Sequence, residues 1–223
     1  MFMMINVNGI DLYYELTGVG RPFVLLHGNG ETHEIFDRLT VRMSEAGYAV
    51  YALDSPGHGR SGKRGNTLSY ADMVEDVAAF IRTLKLEKPM LFGFSDGGIV
   101  GLLIAIKHPE FLSKLIASGA NLTPKGIKAG WMLRFRMTYF FTKDPKMRLM
   151  LIEPDIQEND LKKISVPVLV LAGERDIIKE EETLRIHANI PNSMLRILKN
   201  ETHDSYVVHS DKLYGIIEHF LLL

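Results

Sequence analysis

The chain has no cysteine. That excludes disulfides, thiolate nucleophiles and Cys-ligated metals, and it fits a reducing compartment. An excess of charge of either sign is also missing. The 26 Lys and Arg face 27 Asp and Glu, a formal net charge of −1, which gives no reason to expect a nucleic-acid partner. No apolar run approaches the ~18 residues a membrane span needs. Met1-Phe2-Met3-Met4-Ile5 is too short for a signal-peptide core and lacks a basic flank. There is no internal repeat, no low-complexity linker, no metal-ligand spacing and no phosphate loop. These absences lead us to expect a soluble, cytoplasmic protein without integral membrane association, acting on a small molecule with no metal or organic cofactor.

What is present is an ordinary globular composition, 46% apolar and 24% charged over 223 residues, enough for one enzyme-sized domain. Strand and helix signals alternate along it. A hairpin is expected from Ile5–Val7 and Leu12–Leu16 around an Asn8-Gly9 turn. Continuous apolar runs at 22–27, 48–53, 89–92, 114–118 and 166–172 read as strands covered on both faces, and Met194–Leu198 as another. Helical patterns fall at 32–46, 70–86, 98–106, 180–188 and 211–222. This order predicts an α/β fold with a mostly parallel sheet and helices on both faces. Residues 1–122 and 164–223 form the expected core of a single domain. Residues 123–163 hold no strand signal and interrupt the rhythm, so they are expected to form a short cap or lid over the carboxyl edge of the sheet, where such folds bind ligands.

Gly93-Phe94-Ser95-Asp96-Gly97 matches G-x-S-x-G between a strand and a helix, the context that exposes a nucleophilic serine. A serine nucleophile needs a base, and the base needs an orienter. Of the eight histidines, His203 lies in the polar loop between the last strand and the last helix, at the sheet edge that carries Ser95. His33, His187, His209 and His219 fall in helical patterns and read as surface or packing residues. Asp176 follows the strand 166–172 and is the best orienter. Glu174 is too near the strand end, and Asp204 is badly placed to reach its neighbour's ring. Backbone N–H groups of Asp96, directly after the serine, and of Asn29, in the loop after the strand ending at His27, are the candidate oxyanion donors.

With these residues in view, the chain resembles the α/β-hydrolase superfamily over nearly its full length. His27-Gly28-Asn29-Gly30 is similar to that family's oxyanion loop, and Asp54-Ser55-Pro56-Gly57-His58-Gly59-Arg60-Ser61 to its D-x-x-G-H-G-x-S loop. The Ser95-Asp96-Gly97-Gly98 form of the elbow is similar to valacyclovir-hydrolase-like enzymes. The resemblance implies an eight-stranded sheet and a serine hydrolase, an esterase-like enzyme whose catalytic triad of Ser95, Asp176 and His203 cleaves a small ester, thioester or amide. Cofactor-free perhydrolysis and C–C bond hydrolysis are alternatives on the same fold, and a slowly turning-over binding or signalling protein is another. Between Thr123 and Leu151 seven cations (Lys125, Lys128, Arg134, Arg136, Lys143, Lys146, Arg148) face one acid, Asp144. They read as a solvated helix face paired with Glu153, Asp155, Glu158 and Asp160, in preference to a cationic lid that attracts an anionic substrate or a lipid surface.

Overall fold

The computed structural model describes residues 2–223. Asn8 and Gly9 take positive φ, 49° and 81°, as a two-residue hairpin turn requires. They join β1 (Phe2–Val7) to β2 (Ile10–Thr17). Six strands follow: β3 (Arg21–Leu26), β4 (Tyr48–Leu53), β5 (Met90–Phe94), β6 (Lys114–Ser118), β7 (Val168–Arg175) and β8 (Ser193–Thr202). They form one eight-stranded sheet in the order β1-β2-β4-β3-β5-β6-β7-β8. The first two strands pair antiparallel, β2 antiparallel to β4, and the remaining pairs are parallel. The expected α/β architecture, mostly parallel and eight-stranded, is what the chain forms.

The helices that cover it are α1 (Asp37–Glu45), α2 (Tyr70–Thr83), α3 (Asp96–Lys107), α4 (Ala129–Thr142), α5 (Pro145–Ile152), α6 (Glu158–Leu161), α7 (Glu180–Asn189) and α8 (Lys212–Leu222). Central strands need apolar side chains on both faces, and Phe23, Val24 and Leu25 of β3 are fully buried. Alternate residues feed two cores. Val24 and Leu26 pack with Val74, Val77, Ile99 and Ile186 beneath α2, α3 and α7. Phe23 and Leu25 pack with Leu39, Met43, Leu213 and Ile217 beneath α1 and α8.

Strand β8 runs on to Thr202, past the expected Leu198, and β7 to Arg175; the other departures lie at helix ends. The helix expected over 32–46 begins as a 3₁₀ turn, His33–Phe36, before α1. Thr32 Oγ1 caps that turn by accepting the Glu34 N–H at 3.3 Å, while Asp54 pins His33. The α2 helix stops at Thr83 rather than Leu86, because Lys85 enters the left-handed region (φ 52°) and the Leu86 N–H closes back on the Ile81 carbonyl at 3.0 Å. His209 is not helical; it sits at φ 49° before α8 and meets Asp37 at 3.0 Å. Segment 123–163 contains α4 to α6 and lies between β6 and β7. None of the residues of α4 is buried.

Candidate active site

Ser95 is the one-residue hinge between β5 and α3, with φ 53° and ψ −114°. Strain of this kind costs on the order of 1–3 kcal/mol and persists only where neighbours over-determine it. They do so here. The Ser95 N–H donates to the Ser118 carbonyl at 2.7 Å, and the Gly97 N–H to the His27 carbonyl at 3.1 Å. Strand and helix then meet so closely that a methyl group on Gly93 would lie 2.0 Å from the Gly97 carbonyl oxygen.

Ser95, His203 and Asp176 come together in one line. His203 Nε2 lies 3.0 Å from Ser95 Oγ, and His203 Nδ1 lies 2.6 Å from Asp176 Oδ1. Asp176 is nearly fully buried, and its Oδ1 also accepts the Ile178 N–H at 2.9 Å while Oδ2 accepts the Gly173 N–H at 3.3 Å. An acceptor so engaged draws the imidazole proton to Nδ1 and leaves Nε2 free to take the serine proton. The alternatives weighed against Asp176 are occupied elsewhere. Glu174 accepts the Asn200 N–H, and Asp204 accepts the Thr202 hydroxyl. The His203 loop is braced internally, with Ser205 Oγ bonded both to the Thr202 N–H and to Glu201.

Asp96 begins α3, so its N–H has no intrahelical acceptor. Asn29 is drawn to the elbow by its side chain. Its Nδ2 donates to Asp96 Oδ2 at 2.9 Å and to the Lys146 carbonyl at 3.1 Å, which ties the loop after β3 to both the elbow and α5. With both Nδ2 hydrogens spent, the backbone N–H is the remaining Asn29 donor, and Oδ1 is buried without a partner among the described residues. His27 fixes the same loop from below: Nδ1–H donates to the Gly28 carbonyl (2.7 Å) and Nε2 accepts the Ser55 N–H (2.9 Å). Burial pushes its pKa down to about 4, so the ring is neutral and its tautomer locked.

Several residues of the site carry no local sequence signal. Tyr70 donates to Asp96 Oδ1 at 2.8 Å, and burial still raises the Asp96 carboxyl against the bonds from Asn29 and Tyr70. Glu31 accepts the Gly28 N–H at 2.9 Å, and burial pushes its carboxyl up to about 7. Lys128 Nζ donates to the Asp176 carbonyl at 2.6 Å. Gly119, at φ 63°, backs the His203 ring; a methyl group there would sit 2.7 Å from Cε1. Phe94 also packs on the ring, with centroids 4.9 Å apart. Gly119→Ala is therefore expected to displace the imidazole and reduce kcat about 10–100-fold, since misplacement of a reacting group by ~1 Å costs about that much. Steady-state kinetics beside an unfolding curve separates this from loss of fold.

The basic cap departs from expectation. Among the described residues, none of Glu153, Asp155, Glu158 and Asp160 pairs with any of the seven cations between Thr123 and Leu151. Glu158 meets Arg185 and Asp160 meets Lys163, Glu153 accepts the Tyr70 N–H, and Asp155 accepts from Gln157. Tertiary neighbours on α2 and α7 take Glu153 and Glu158, and Asp155 and Asp160 turn to Gln157 and Lys163 beside them in sequence.

The sheet order, the strained serine after β5 and the loops gathered at the carboxyl edge define an α/β hydrolase. The family model of the serine aminopeptidases, S33, matches residues 21–156, more than half of the chain, and the chain belongs to that family. It is 28% identical to the serine hydrolase BPHL of Homo sapiens, over 97% of this chain and 85% of that protein. It is 25% identical to a putative non-heme chloroperoxidase of Synechocystis, over 97% and 96%. The crystal structure of a bromoperoxidase from Bacillus anthracis superposes with a TM-score of 0.88 at 22% identity, over the whole of both chains. Among the described residues, no helix is long and apolar enough to cross a membrane.

Proposed function

We propose that the protein is a serine hydrolase that cleaves a small carboxylic ester, or a related thioester or amide, through an acyl-enzyme. The observation that carries this reading is the hydrogen-bonded line from Ser95 Oγ through His203 to the buried Asp176. In this mechanism His203 Nε2 takes the Ser95 proton as Oγ attacks the carbonyl carbon. The carbonyl oxygen becomes an oxyanion, held by the backbone N–H groups of Asn29 and Asp96. The imidazolium, stabilised by Asp176, returns its proton to the leaving group. Water then enters, gives a proton to His203 and cleaves the acyl-enzyme, releasing the acid and restoring the serine.

The recess at Ser95 has a volume of about 10 Å³, bordered by Tyr70, Asn121, Phe135, Met150 and Ile178. That is room for about one water. An acyl group needs more room than this, and since Phe135 of α4 and Met150 of α5 border the recess, residues 123–163 act as a lid on this reading. A fluorophosphonate probe should label Ser95, identified by peptide mass, and short p-nitrophenyl esters should show a burst followed by steady turnover. Labelling without turnover would favour a binding protein. The likeness to a putative non-heme chloroperoxidase supports perhydrolysis as a second reading, and peracid formation from acetate and hydrogen peroxide tests it.

A further inference from the structure

The outward side of α4 is unlike the rest of the surface. Leu133, Met137, Phe140 and Phe141 are 62%, 51%, 65% and 73% exposed, and their i, i+4, i+7, i+8 spacing puts them on one stripe. The half-buried Met132, Phe135 and Tyr139 occupy the opposite, inward side. The helix is thus apolar on two sides, with its charges confined to the borders between them. Every one of those charges is positive: Arg134 lies over the Trp131 ring, Arg136 falls on the other border, and Lys143 lies over Phe140 at the end of the helix. Beside the stripe, Met132, Leu133, Leu151 and Ile152 line a groove of about 680 Å³ together with Arg136 and Asp155.

An exposed apolar stripe marks a site of association, and the charges select the occupant. In a twofold contact between two copies, α4 would face α4 and bring like cations together. The lone acid of this stretch, Asp144, is already used to cap α5 at the Lys146 N–H; of the four acids that follow, Asp155 shares the groove with Arg136 but accepts from Gln157, and the other three meet Tyr70, Arg185 and Lys163. Among the described residues no acid pairs with Arg134, Arg136 or Lys143, and these cations frame an aromatic and aliphatic surface. A surface with phosphate headgroups above acyl chains satisfies both requirements: the cations meet phosphates while Leu133, Met137, Phe140 and Phe141 enter the acyl boundary. We propose that α4 is an interfacial helix that docks the protein on anionic lipid bilayers.

Trp131 is the sole tryptophan of the chain and lies on α4, so it reports docking directly and without any need for turnover. Titration with vesicles of phosphatidylglycerol and phosphatidylcholine is expected to shift its emission to the blue and to co-sediment the protein. Pure phosphatidylcholine vesicles should bind at least tenfold more weakly. One cation near an anionic surface raises affinity about fivefold, so R134Q/R136Q should weaken binding about 25-fold, and added salt should act in the same direction. F140S/F141S should weaken it more than about tenfold. These side chains are exposed, and circular dichroism checks that both variants keep the fold. No binding to anionic vesicles, or equal binding by wild type and both variants, would overturn the proposal. So would sedimentation of the wild type as a dimer that F140S/F141S converts to a monomer.

Discussion

Ser95→Ala lowers kcat on short p-nitrophenyl esters by roughly 10⁴–10⁶, the scale of nucleophile deletions in enzymes that work as a unit. The expectation comes from what remains after the change. His203 Nε2 loses the Oγ partner it holds at 3.0 Å, and no covalent intermediate forms. Any residual rate comes from the backbone donors at Asn29 and Asp96 acting on direct attack by water. The fold should not suffer. Alanine at φ 53° carries the same strain as serine, and the two bonds that hold the elbow are backbone N–H bonds, from Ser95 to Ser118 and from Gly97 to His27. The variant should lose the fluorophosphonate label and keep the unfolding midpoint of the wild type. Ester turnover near the wild-type rate would remove Ser95 from the mechanism.

How far the sequence led depended on the range of the information required. The strand runs were legible because burial on both faces demands continuous apolar residues, and β4 and β6 came out with their observed bounds. Ser95, Asp176 and His203 were legible because each lies just past a strand, and a parallel sheet delivers all such loops to one edge. Helix ends were less legible because they depend on one capping contact, such as the left-handed Lys85 that closes α2. Glu31, Tyr70, Lys128 and Gly119 were not legible at all. Their importance comes from what the sheet places beside them, the Gly28 N–H, Asp96, the Asp176 carbonyl and the His203 ring, and no spacing along the chain encodes those neighbours. The cap cations were misassigned for a similar reason. Glu153 and Glu158 were taken up by α2 and α7, which sequence order does not bring to mind, and Asp155 and Asp160 by the adjacent Gln157 and Lys163.

Asp176→Asn should lower kcat by about 10³–10⁴ without unfolding the protein, because the change alters the imidazole more than its position. Asp176 Oδ1 accepts two donors, His203 Nδ1–H at 2.6 Å and the Ile178 N–H at 2.9 Å, and Oδ2 accepts the Gly173 N–H at 3.3 Å. An asparagine has one acceptor oxygen for these three donors. If its oxygen takes the Oδ1 position, the amide NH₂ faces the Gly173 N–H, and the imidazolium formed during attack has lost its counter-charge. If the amide turns over, NH₂ faces His203 Nδ1. The ring must then accept there and carry its proton on Nε2, where it blocks transfer from Ser95. Both orientations damage the chemical step while the donors at Asn29 and Asp96 stay in place. The loss should therefore fall on kcat, with KM changing little. Nitrogen-15 spectra of the His203 ring distinguish the two orientations: a proton moved from Nδ1 to Nε2 marks the turned amide. A kcat within tenfold of wild type would show that Asp176 neither orients nor stabilises His203, and the proposed proton path would lose its third member.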